Sequence, residues 1–159
     1  MRVTQLFYAG VLVLLSSISA FAQKQASALS SAYQNSPVGR WRTIDDATGK
    51  PASIVGIREE NGKLIGRIEK VFDPFPKEAN PKCTACQGEL KGVPLVGMKI
   101  LWDLAKHDNE WSGGKIIDPD SGKTYNCSLA LEKGETRIKI RGFIGMSIFG
   151  RTQYWLREK

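Results

Sequence analysis

The sequence predicts an all-β domain of about eight antiparallel strands, a barrel or a sandwich, and three observations predict it. Short runs alternate apolar and polar residues with a period of two, which is the pattern of a half-buried strand. Glycine-centred turns of one design recur between them, at Thr48-Gly49-Lys50, Asn61-Gly62-Lys63 and Ser121-Gly122-Lys123. No segment keeps a helical period over several turns.

In chain order, the first strand is expected at 39–43, ahead of the Thr48-Gly49-Lys50 turn, and the second at 52–58, ahead of Asn61-Gly62-Lys63. Glycine takes the positive φ that a tight turn demands, and its polar neighbour can bond its own backbone. The third strand follows at 64–72. The fourth, 98–105, sets Met98, Ile100, Trp102 and Leu104 against Lys99 and Asp103. The polar turn His107-Asp108-Asn109-Glu110 leads into the fifth, 110–117, and Ser121-Gly122-Lys123 into the sixth, 124–131. There Tyr125, Cys127, Leu129 and Leu131 share a face opposite Asn126 and Ser128. The seventh, 136–141, sets Ile138 and Ile140 against Arg137, Lys139 and Arg141. The eighth, 151–157, is mixed, because Trp155 shares its face with Arg151, Gln153 and Arg157. Closing such a set into a barrel removes its exposed edges.

Two connections are not hairpins. The stretch 73–97 is long, contains Pro74, Pro76, Pro81 and Pro94, and carries Cys83 and Cys86. The stretch 142–150 is apolar, with Phe143, Ile144, Met146, Ile148 and Phe149, and is expected to fold over one end of the domain.

The N-terminus reads as an export signal. Arg2 precedes an apolar run from Leu6 to Leu15, and small residues lead to Ala20-Phe21-Ala22, which places cleavage after Ala22. The run is shorter than the ~20 apolar residues of a membrane span. The expected division is a signal peptide at 1–22, a small and polar flexible leader at 23–37, and one domain at 38–159, in the periplasm. The chain has 23 Lys and Arg, 16 Asp and Glu and a net charge of +7, and removing Arg2 with the signal leaves 22 − 16 = +6. The basic residues are scattered singly, as on a solvated face, and export excludes nucleic acid as a partner. An anionic envelope component remains a possible partner of the basic surface.

Six segments occur together in order: Gly39-Arg40-Trp41, Asp45-Asp46-Ala47-Thr48-Gly49-Lys50, Cys83-Thr84-Ala85-Cys86, Trp111-Ser112-Gly113-Gly114, Asp118-Pro119-Asp120-Ser121-Gly122-Lys123-Thr124-Tyr125 and Gly150-Arg151-Thr152-Gln153-Tyr154-Trp155. In this combination the domain resembles the secreted bacterial domain-of-unknown-function family numbered 2147. The resemblance implies a lipocalin-like (calycin) β-barrel and no established activity. Gly39-x-Trp41 also resembles the first-strand motif of lipocalins, which implies that Trp41 plugs the closed end beneath an arginine of the last strand, Arg157 or Arg151.

Cys83-Thr84-Ala85-Cys86 admits three readings. A thioredoxin-type pair needs a helix N-terminus and a βαβ setting, and proline, lysine and glycine surround this one instead. A metal site would have to recruit Cys127 and His107, although Cys127 falls on an apolar strand face. A local disulfide in an oxidising compartment is the reading adopted, with Cys127 a buried free thiol. His107, the single histidine, has no visible acid–base partner, and Ser147 lacks the second glycine of a nucleophile elbow. Asp118 and Asp120, like Asp45 and Asp46, read as turn residues, not as a calcium loop or a hydrolase pair.

The expected function is therefore non-catalytic binding, without cofactor or metal, of a small, partly apolar ligand, an anionic end being one option. Trp102 and Trp155 would give it contact area, and Arg151 or Arg157 would meet an anionic end. Glycines within strands, Gly56, Gly66, Gly113 and Gly114, would either bend the barrel or leave room near the backbone. Two alternatives stand beside this: an envelope interaction module, and a cysteine-based redox or metal protein.

Overall fold

The structure, a computed structural model, describes residues 36–72 and 80–159. The expected signal peptide, the leader up to residue 35, and Pro74 and Pro76 of the long loop lie outside the described residues. Pro37–Lys159 forms one compact unit.

Eight antiparallel strands run in sequence order: β1 (Gly39–Ile44), β2 (Pro51–Glu60), β3 (Lys63–Val71), β4 (Lys99–His107), β5 (Glu110–Asp118), β6 (Lys123–Glu132), β7 (Arg137–Phe143) and β8 (Gly150–Arg157). Each pairs with the next, and β8 returns to β1 through Trp41↔Arg157 and Arg42↔Leu156, so the sheet closes into a barrel. The expected strands are all present, within a residue or two of their expected ends. Hairpin chemistry follows the turn residues. Between the paired Glu60 and Lys63, Asn61 (φ 53) and Gly62 (φ 74) both take positive φ, the two-residue turn whose twist matches its strands.

In an up-and-down barrel, alternate connections lie at the same end. The β2–β3, β4–β5 and β6–β7 turns flank one end, which is packed. Trp41, Val55, Ile57, Leu64, Leu104, Trp111, Leu129 and Ile138 fill it, none more than 7% exposed. Trp41 is fully buried, its indole Nε1–H donates to Pro37 O at 2.7 Å, and the Arg157 guanidinium lies 4.2 Å above its ring. Arg157 also donates to Glu135 O (2.7 Å) and Val38 O (3.2 Å), which ties the plug to the β6–β7 turn. Of the two arginines the sequence left open, Arg157 is the one on Trp41.

The β3–β4 ladder departs from simple alternation. Its register shifts between Leu64 and Gly66 and again between Gly66 and Arg67, and Asp103 takes φ 62. Bulges of this kind re-aim side chains. Leu101 and Leu104 therefore occupy the fully buried positions, and Trp102 is only half-buried.

Candidate functional site

The other end of the barrel is hollow. A cavity of about 710 Å³ opens between the β1–β2, β5–β6 and β7–β8 connections and the end of the long loop at Leu95. This is within the range of small-molecule pockets, roughly 300–1,000 Å³. Its apolar wall comes from Ile68, Val71, Ile100, Ile116, Ile117 and Ile140. Trp155, 2% exposed, also lines it, with its Nε1–H donating to Gln153 Oε1 at 3.3 Å. Side chains crossing from facing strands fill the packed end, whereas here the inward positions include Ala52, Ser53 and Gly142, too small to meet across the barrel.

Strand β8 reads as its sequence predicts. Arg151, Gln153 and Trp155 line the cavity, while Tyr154 and Leu156 face outward, 42% and 43% exposed. The four candidate ligand residues nevertheless separate. Trp155 and Arg151 are at the cavity. Arg157 lies at the packed end on Trp41. Trp102 does not line the cavity; it lines an outer groove of about 390 Å³ with Arg67, Leu90, Val93 and Lys99. The expectation that Trp102 shares the inner face with Met98 and Ile100 fails because the register shift between Lys99 and Leu101, opposite Arg67 and Gly66, buries Ile100 and Leu101 in succession and reverses the side of Trp102. None of the four strand glycines singled out in the sequence, Gly56, Gly66, Gly113 and Gly114, lines the cavity. A Cβ at Gly66 would stand 3.1 Å from Leu101 Cβ, and one at Gly114 would stand 2.3 Å from Trp102 O, so these glycines permit close strand approach at the bulges.

Arg151 is not a free cation. Its Nε donates to Asp46 Oδ2 at 2.7 Å, its Nη2 donates to the same oxygen, and Gln153 Nε2 donates there at 3.3 Å. This bonding raises its pKa still further. Three more carboxylates line the mouth: Asp45, Asp118 and Asp120. Asp45 accepts from Thr48 N (2.7 Å) and Thr48 Oγ1 (2.6 Å), and the hydroxyl followed by the backbone donor holds it below the usual carboxylate range. Asp118 caps its own turn, accepting from Asp120 N (3.0 Å) and Ser121 Oγ (2.7 Å). The Asp120 carboxylate has no hydrogen bond or ion pair among the described residues. Loss of water around it, then the Asp118 and Asp45 charges, push it above the usual range. The turn reading of these aspartates was sound, but it missed that their turns border the cavity. Counting connections places these turns together, since the first, third, fifth and seventh of a meander share one end, but only closure shows that this end is the hollow one.

The cysteine loop braces that mouth. Cys83 and Cys86 form a disulfide and both are buried. Cys83 Sγ lies 3.3 Å from Pro119 O, and a Cβ at Gly122 would stand 2.1 Å from Ala85 O, so the loop packs directly on the Asp118–Gly122 turn. Cys127 is a buried free thiol, and burial pushes its pKa up to about 12. His107 ends β4, exposed and paired with Glu110, and among the described residues no group of three or more His, Cys, Asp or Glu is arranged to hold a metal. In the β7–β8 connection, Phe143, Ile144 and Phe149 reach the cavity. Ile144, Met146, Ile148 and Phe149 are 65–69% exposed, so this segment edges the mouth without packing over it. No helix among the described residues is long and apolar enough to cross a membrane.

Residues 39–157 match the family model of uncharacterized proteins conserved in bacteria, DUF2147. A solved structure, protein HP1028 from the human pathogen Helicobacter pylori, described as belonging to the lipocalin family, is similar with a TM-score of 0.67. The likeness covers 78% of this chain and 84% of that one at 23% identity, which bears on the fold alone. No curated protein matches the chain.

Proposed function

Because the chain belongs to the uncharacterized bacterial family DUF2147 and folds as a lipocalin-like barrel, its function has to be read from its own cavity, and we propose that it binds a small, partly apolar ligand there without catalysis. The observation that carries this reading is the half-filled barrel. One end is packed solid around Trp41, while the other keeps about 710 Å³ between apolar walls and a polar mouth. Apolar walls reachable by water gain free energy when an apolar ligand covers them, and a pocket of this size can bury most of a small molecule. The Arg2, apolar-run and Ala20-Phe21-Ala22 pattern supports export, so the proposed setting is the periplasm, with the mature chain starting at Gln23.

Native mass spectrometry of protein purified from its export compartment should show a co-purified small mass on a chain beginning at Gln23. Apolar and amphiphilic probes should quench tryptophan fluorescence saturably through Trp155. Gly142→Leu, which adds a side chain beside Tyr125 and Ile116 in the cavity wall, should lower probe affinity at least tenfold. Trp102→Ala, on the outer wall, should leave it within about twofold. A broad probe panel with no saturable signal would sink the binding reading. Sensitivity to Trp102→Ala without sensitivity to Gly142→Leu would move the site to the outer groove.

A further inference from the structure

The chain carries a net charge of +7, yet its cavity has the opposite sign. Among the described residues, three carboxylates (Asp45, Asp118, Asp120) and one guanidinium (Arg151) line it, and no lysine does. The single guanidinium is bonded by a fourth carboxylate, Asp46, so an incoming anion would have to displace that partner. Asp45 uses one oxygen and Asp118 both of its oxygens on their own turns, while neither oxygen of Asp120, at the rim, is bonded among the described residues. Four aromatic side chains, Tyr125, Phe143, Phe149 and Trp155, line the same space. Aromatic faces attract cations, and quaternary ammonium groups in particular, so the aromatic and acidic linings favour one kind of head group.

We propose that the cavity takes an amphiphile with a cationic, alkylammonium-type head, held at Asp120 between Asp118 and Asp45, with its apolar tail over Trp155, Ile68 and Ile140. This rests on the cavity-binding reading and replaces the anionic end expected from Arg151 and Arg157. Lys50 and Lys123 belong to the same turns as Asp45 and Asp118, but both are exposed and neither lines the cavity, so solvent and salt weaken their effect on a head group held inside it.

The test uses three probes of equal chain length, decyltrimethylammonium, decanoate and 1-decanol, titrated by calorimetry at physiological salt below their aggregation thresholds. Decyltrimethylammonium should bind at least tenfold more tightly than decanoate, with decanol between them. Asp120→Asn should weaken decyltrimethylammonium roughly five- to tenfold, the scale of one partly screened charge pair. The same variant should leave decanol unchanged, which also shows that it folds. Decanoate binding as tightly as the ammonium, or an unchanged ammonium affinity in Asp120→Asn, overturns the cationic head while leaving the cavity reading intact. Saturable binding by none of the three overturns both.

Discussion

Arg151 and Arg157 leave the same face of β8 and meet different fates. Arg157 faces the packed end, where an indole and two carbonyl oxygens take its guanidinium. Arg151 sits at the open mouth and is taken by Asp46, with both side chains still wet, 61% and 44% exposed. The half-buried arrangement at Arg157 holds structure; the exposed pair contributes little to stability and sets the local charge. Arg157→Ala should therefore lower the unfolding free energy by about 2–3 kcal/mol, from a lost cation–π contact and two lost charge-assisted hydrogen bonds. A lower urea midpoint at unchanged slope would show it; an unchanged midpoint would mean that the plug holds without its arginine. Asp120 has a linkage of its own. Its folded pKa is raised, so its stabilising contribution is full below the ordinary carboxylate pKa and is lost as pH rises through the folded value. The groups that act on it are Asp118 and Asp45, which raise it, and Arg151, which lowers it. Asp120→Asn should accordingly raise the unfolding midpoint at pH 7 and leave it nearly unchanged at pH 3. A loss of stability at pH 7 would mean that the carboxylate supports the turn and is not strained by it.

Between the strands, the elements divide by end. The connections at the packed end are tight polar turns; those at the open end are the aspartate-rich turns, the cysteine loop and the apolar 143–149 segment. Stapling the cysteine loop closes only four residues, worth about 2 kcal/mol by chain entropy, but the loop it shapes packs on the turn that carries Asp118 and Asp120. Denatured, unreduced protein should react with one thiol reagent per chain, at Cys127, and native protein with none, because that thiol is buried and its pKa lies at about 12. Three modified cysteines in the denatured state would remove the staple.

Across the whole molecule, local pattern and closure determined different things. The number of strands, their turns, the inward face of β8 and the Cys83–Cys86 pairing were legible because each depends on neighbours within a few residues: alternation, positive-φ turn residues and a short spacing. The lipocalin-like fold was legible through the joint occurrence of Gly39-Arg40-Trp41 and the later segments. Three features were not. Trp102 faces outward because β4 bulges where it pairs with β3, and a register shift depends on a partner some forty residues away. Arg157, not Arg151, covers Trp41 because the β1–β8 register sets them opposite each other. The acidic mouth exists because turns distant in sequence converge when the barrel closes, bringing Asp45, Asp118 and Asp120 around one opening. The sequence by itself thus determined which residues form strands and which form turns, since backbone propensity and side-chain period are local. Only the tertiary structure decided which half of the barrel is hollow and what charge surrounds it, since both depend on register and closure, which sum over all eight strands.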